Sequence, residues 1–219
     1  MLRGHVLLAL LLKEFRVEYK EPYALTGLLL YLASVLMVVY VGLMEMQPQV
    51  WLTLYWIVAL FIAINASAKS FMHEARGRWF YYYQLAHPVE VIISKIVYNT
   101  VLLVVLNVVC WLLYSLVLGS PVRNYSWLLT VIVLGSVSIS ILLTMMSAIA
   151  SKAGNNATLM SVLSLPVLIP TMLLLVNLSM AALVEDLTVL PVGDLFILVG
   201  LDCVMLMLAF VLFPYLWKD

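Results

Sequence analysis

Charge is what this chain has least of. Asp, Glu, Lys and Arg make up 10% of its 219 residues and hydrophobic residues 66%, whereas soluble domains run at about 25% charged and 45–50% apolar. That deficit excludes a soluble globular domain. Apolar runs of about 18 residues or more recur along the whole length, which leaves no room for a separate soluble unit. Residues 1–219 read as a single polytopic membrane domain. The 11 basic and 11 acidic residues balance, so there is no basic surplus for a nucleic-acid partner. Cysteine is scarce as well. Cys110 and Cys203 each sit inside an apolar run, form no CxxC pair, and read as small buried hydrophobes. No G-x-x-x-x-G-K-[ST] loop, H-E-x-x-H, G-x-S-x-G or Cys/His cluster occurs. The chain is therefore expected to be a non-catalytic subunit with no metal site and no ATP hydrolysis of its own. The histidines His5, His73 and His87 fall outside the apolar runs and read as solvated surface residues.

What is present is a series of six apolar segments after a short amphipathic start. In residues 1–21, Leu8, Leu11, Leu12, Phe15 and Tyr19 fall on one helical face, while Lys13, Glu14, Arg16, Glu18 and Lys20 supply a charged face. That pattern predicts a helix lying in the membrane interface. Pro22 follows, and the expected spans are about 23–44, 50–68, 96–118, 127–150, 157–182 and 195–215. The fold class is all-α, an integral membrane protein with six transmembrane helices and an N-terminal interfacial helix.

The stretch from Lys69 to Lys95 breaks the apolar pattern. It holds Lys69, Arg76, Arg78 and Lys95 against Glu74 and Glu90, with a block of rings from Trp79 to Tyr83. Each Lys, Arg or Asp at the centre of a membrane helix costs about 2.5–3.5 kcal/mol, so this stretch is expected at or outside the surface. An even number of spans puts both termini on one side, and ten of the eleven basic residues fall on that side, leaving Arg123 opposite. By the positive-inside rule the termini and the 69–95 stretch are cytoplasmic. The aromatic block reads first as an interfacial belt.

Two features inside the apolar segments carry functional weight. Asp202 lies about seven residues into the last span, roughly 10 Å deep. An intramembrane acid is expected to face the bundle interior. Asn107, Asn177 and several serines are candidate partners for it, and a helix–helix hydrogen bond competes with a transport role. In the fifth span, Pro166 and Pro170 each remove a helix hydrogen bond. They predict a kinked or partly unwound helix suited to rocking or gating, with a static kink as the plain alternative.

The order and spacing of these pieces resemble a known family. The pieces are KEFRVEYK at 13–20, the charged stretch with Phe71, Glu74, Gly77, Leu85, Pro88, Val89 and Lys95, and LPVLIP at 165–170. Together they look like the haem exporter protein B (CcmB) family of the cytochrome c maturation system. The resemblance implies a type-2 ABC transporter permease in a bacterial-type inner membrane. It would work with an ABC ATPase subunit that binds ATP, a second haem-handling membrane subunit and a periplasmic haem chaperone, with a homodimer among the assemblies it allows. Haem would be cargo of the complex, supporting haem export or the loading and release of the chaperone. The ATPase-coupling residues implied are His73, Glu74, Arg76, Gly77, Arg78, Trp79 and Tyr82, docking in a groove of the ATPase with Gly77 in a tight turn. Competing expectations are an exporter of the same architecture for a lipid, drug or saccharide, then a non-transport membrane scaffold, then an intramembrane enzyme dependent on Asp202.

Overall fold

The computed structural model describes residues 9–14, 16, 22–42, 46–72, 87–152, 157–184 and 191–218. Among them no strand occurs. Six helices follow in order: α1 (Pro22–Gly42), α2 (Pro48–Met72), α3 (Pro88–Leu118), α4 (Tyr125–Lys152), α5 (Ala157–Met180) and α6 (Val192–Lys218), with a 3₁₀ turn at Ala181–Leu183. Residues 9–14 are also helical. Five of the helices, α2 to α6, are long and apolar enough to cross a membrane, and α1 contributes a shorter apolar stretch at Leu30–Gly42.

Proline and glycine punctuate these elements as their backbone chemistry requires. α1, α2 and α3 each begin at a proline, whose fixed φ suits the first turn and whose missing N–H is no loss there. α3 ends at Gly119, which adopts φ 73°, a region open to glycine without steric cost.

Helix α4 is the centre. It packs against α2, α3, α5 and α6, while α1 leans on α2 and α3. The sequence of α4 explains its position, because small residues let helices approach closely. Gly135, Ser136, Ser138, Ser140, Thr144 and Ser147 are all buried. The absent side chain of Gly135 is what admits Trp56 of α2: a Cβ there would lie 2.5 Å from Cη2 and 2.9 Å from Cζ3 of that ring.

The main apolar core joins Leu32, Trp51, Leu52, Trp56, Leu103, Leu128, Ile132, Leu142 and Leu175 across α1 to α5. A second cluster lies nearer the end where α2 stops and α3 starts. It is built from Val91, Ile92 and Ile96 of α3, Ile141, Met145 and Ala148 of α4, and Ala209 and Phe213 of α6, with Leu10 of the N-terminal segment packed against it. That end is called the charged end below.

The charged stretch from 69 to 95 is expected at or outside the membrane surface: α2 stays helical through Met72 while its apolar span ends at Ser67, and α3 starts at Pro88, earlier than the expected 96. The early start follows from a capping box. The His87 side chain accepts from the Val89 N–H at 3.4 Å, and Glu90 Oε2 accepts from the His87 N–H at 3.2 Å. Two donors that the helix leaves orphaned are thereby satisfied. Cysteine also divides: Cys110 is buried, but Cys203 is exposed on the outer face of α6.

Candidate functional site

At the charged end, the first two turns of α3 carry both signs of charge into the protein. Glu90 is 3% exposed and Lys95 1%, so neither is the surface charge that its place beside a polar stretch suggests. Lys95 Nζ lies 3.5 Å from Glu14 Oε1, a link between the N-terminal segment and α3 across 81 positions. Glu14 also meets Lys13 at 3.2 Å. The amphipathic pattern put Glu14 on the charged outer face. The structure turns it inward, with Leu10 one turn earlier on the second apolar cluster, while Leu12 is exposed. The physical reason is Lys95: a buried ammonium must be paired.

The coupling residues expected from the sequence, His73, Glu74, Arg76, Gly77, Arg78, Trp79 and Tyr82, lie outside the described residues. What the structure fixes is their framing. Their segment joins the end of α2 to the start of α3, and both helices pack on α4.

Deeper in the bundle, α3, α4 and α6 are tied by polar side chains. Asn99 Nδ2 donates to Thr144 Oγ1 at 2.8 Å, Ser140 Oγ to the Ile96 carbonyl at 3.0 Å, and Asn107 Nδ2 to Ser136 Oγ at 2.9 Å. Ser138 Oγ meets Asp202 Oδ2 at 2.7 Å, tying α4 to α6. The expected intramembrane group of Asp202, Asn107 and Asn177 is thus not one site. Asp202 sits on the inward stripe of α6 with Leu198, Met205 and Ala209 and bonds Ser138, Asn107 bonds Ser136, and Asn177 is exposed on α5. Interhelical bonds of this kind contribute about 0.6 kcal/mol each on average in membrane bundles. Their worth lies in register more than in energy.

Sequence reasoning missed two elements of this network. The box His87-Pro88-Val89-Glu90 carries the signature of a capped helix start with Pro at its first position. The tryptophans are the other. Trp56 Nε1 donates to Ser179 Oγ at 2.7 Å, Trp51 Nε1 to the Gly119 carbonyl at 2.8 Å and Trp127 Nε1 to the Leu178 carbonyl at 2.8 Å. Nothing in the linear pattern pairs them.

Helix α5 runs without interruption through Pro166 and Pro170, both exposed on its surface. The unwound form of the expectation is not what the backbone adopts. Ser164 Oγ donates to the Ser161 carbonyl at 2.9 Å and Thr171 Oγ1 to the Val167 carbonyl at 2.9 Å. These bonds fall beside the carbonyls of Val162 and Pro166, the two that the prolines leave without a helix donor.

Among the described residues no group of three or more His, Cys, Asp or Glu converges. What the described residues do hold is a buried polar framework among α3, α4 and α6 and an N-terminal segment paired with α3 through Glu14 and Lys95. No curated protein matches the chain. A family model described as CcmB protein matches residues 5–215. With nearly its whole length covered, the chain belongs to the CcmB family, the haem-exporter permease component of the cytochrome c maturation ABC system.

Proposed function

We propose that this chain is the subunit that converts the work of a separate ABC ATPase into helix movement for haem delivery in cytochrome c maturation. Six helices, α1 included, cross a bacterial-type inner membrane with both termini cytoplasmic, and the N-terminal segment lies in the cytoplasmic interface. A second haem-handling membrane subunit and a periplasmic haem chaperone complete the assembly. Haem is the cargo of that complex; the share assigned to this chain is transmission of force.

The observation that carries this reading is the framing of residues 73–86. They connect α2 to α3, and both of those helices pack on the central α4. A push on the connection therefore reaches the core within one contact. Arg76, Arg78 and Glu74 give the connection the charges that orient an encounter with a protein partner. The part-buried Glu14–Lys95 pair adds the N-terminal segment to the same end, so that the interfacial helix moves with α3. Pro166 and Pro170 supply a place for α5 to bend as its neighbours shift.

The direct test is charge reversal, Arg76→Glu with Arg78→Glu. The expected result is loss of the ATPase from the purified assembly and a fall in c-type cytochrome yield. An intact assembly with unchanged yield removes these residues from the coupling role.

A further inference from the structure

Helix α3 has two unlike halves. From its start to Asn107 its polar side chains are matched: Lys95 with Glu14, Asn99 with Thr144, and the Ile96 carbonyl with Ser140. Beyond that point the matching stops. Asn107 Oδ1, Trp111 Nε1, Tyr114 Oη and Ser115 Oγ are buried atoms with no hydrogen-bond partner among the described residues. The side chains of Asn107 and Tyr114 are wholly enclosed, at 0% exposure each.

These four residues share one face. Steps of four, three and one place them within about 100° of each other around the helix, along about 12 Å of its axis. A few unsatisfied polar groups per hundred residues is ordinary; four on one stripe of one helix is a pattern. Each costs about 1–3 kcal/mol to bury without a partner. What closes over them is chiefly aromatic. Tyr114 meets Trp51 edge-on at 4.8 Å and Tyr55 at 6.1 Å, and Trp111 meets Tyr125 at 6.1 Å. Two bonds cross to this half from α2, Tyr55 Oη to the Asn107 carbonyl at 3.2 Å and Trp51 Nε1 to the Gly119 carbonyl at 2.8 Å; both accept water in exchange when the rings part.

We propose that the stripe Asn107–Trp111–Tyr114–Ser115 is a hydration site. The half of α3 away from the charged end separates from α2 and α4, and water enters to satisfy the four groups, while the half up to Asn107 stays fastened. The site binds water in the open form and is closed by the rings of Trp51, Tyr55 and Tyr125. It is independent of the ATPase assignment, because the imbalance is built into this chain.

Cys110 borders the stripe and is fully buried. It is a native probe. The full chain in membranes is treated with a water-soluble, membrane-impermeant maleimide and labelling is read peptide by peptide by mass spectrometry. Cys110 is expected to label under native conditions. A cysteine placed at Leu103, equally buried in the fastened half, is expected to stay unlabelled. In Tyr114→Phe with Ser115→Ala, removal of two unmatched groups favours the closed form, and the Cys110 rate should fall about tenfold. Three results overturn the proposal: a Cys110 that labels only after denaturation, labelling of Leu103→Cys as fast as that of Cys110, or an undiminished rate in the double variant. Adding the ATPase and nucleotide tests the coupling reading separately, since that reading alone requires the rate to respond.

Discussion

Gly135 is the point at which the central position of α4 can be tested most sharply. In Gly135→Ala the new methyl meets Cη2 of Trp56 at 2.5 Å, Cζ3 at 2.9 Å and Cδ2 of Leu175 at 3.0 Å. Trp56 cannot swing aside easily. It is 1% exposed, stacked edge-on with Tyr55 at 5.3 Å, and bonded through Nε1 to Ser179 on α5. Overpacking of this type costs about 1–3 kcal/mol, and loss of the Trp56–Ser179 bond adds about 0.6 kcal/mol. Against that, alanine favours a helix interior over glycine by about 1 kcal/mol. The net expectation is destabilisation by about 0.6–2.6 kcal/mol. Gly200 is the internal control, because a Cβ there meets nothing within 4 Å, and Gly200→Ala should be neutral or stabilising by up to about 1 kcal/mol. Unfolding in a mixed micelle of denaturing and mild detergent reads both. Trp56→Phe shortens the ring that collides, so the Gly135→Ala penalty should shrink in that background. Equal stability of Gly135→Ala and Gly200→Ala would refute the close α2–α4 contact.

Three further outcomes follow from the same structure. Glu14→Gln removes a carboxylate 3.5 Å from the buried Lys95 ammonium and should destabilise the protein by less than the about 3–5 kcal/mol of a wholly stranded buried charge; Glu14→Gln combined with Lys95→Met should recover part of the loss in the same unfolding assay. Asp202→Asn keeps a hydrogen-bonding group opposite Ser138 and should preserve assembly and cytochrome yield, whereas Asp202→Ala should behave like Ser138→Ala, with modest destabilisation of about 0.6–1.7 kcal/mol; an Asp202→Asn variant as defective as Asp202→Ala would instead require the acid itself. Pro170→Ala restores a backbone donor to α5 and should raise thermal stability while lowering cytochrome yield, and a variant unchanged in both would remove Pro170 from any bending role.

Much of the scaffold was legible in the linear pattern, since α2 to α6 follow apolar runs long enough to cross a membrane, with Gly119 closing α3 and Lys152 closing α4. The boundaries at the charged end were less so. Lys95 and Glu90 were counted with the polar connection because flanking charge ordinarily means solvent. The partner that draws Lys95 inward is Glu14, 81 positions away, and no periodicity links them. The same holds for the intramembrane acid. Its inward position is readable from its depth in an apolar run, but the choice of Ser138 over Asn107 depends on how α4 rotates between α3 and α6. Gly135 passes for a tolerated helix glycine until the Trp56 ring is seen against it. Local chemistry determines where helices start and stop; which polar groups meet is settled by packing.

Transmission of an ATPase's work by this chain in a haem-delivery assembly is tested most directly by purification of the tagged chain in mild detergent, with mass spectrometry of what accompanies it and a haem spectrum of the product. An ABC ATPase subunit together with a second membrane subunit carrying haem is the expected result. Recovery of the chain with no ATPase, from membranes in which c-type cytochromes are being made, would contradict it.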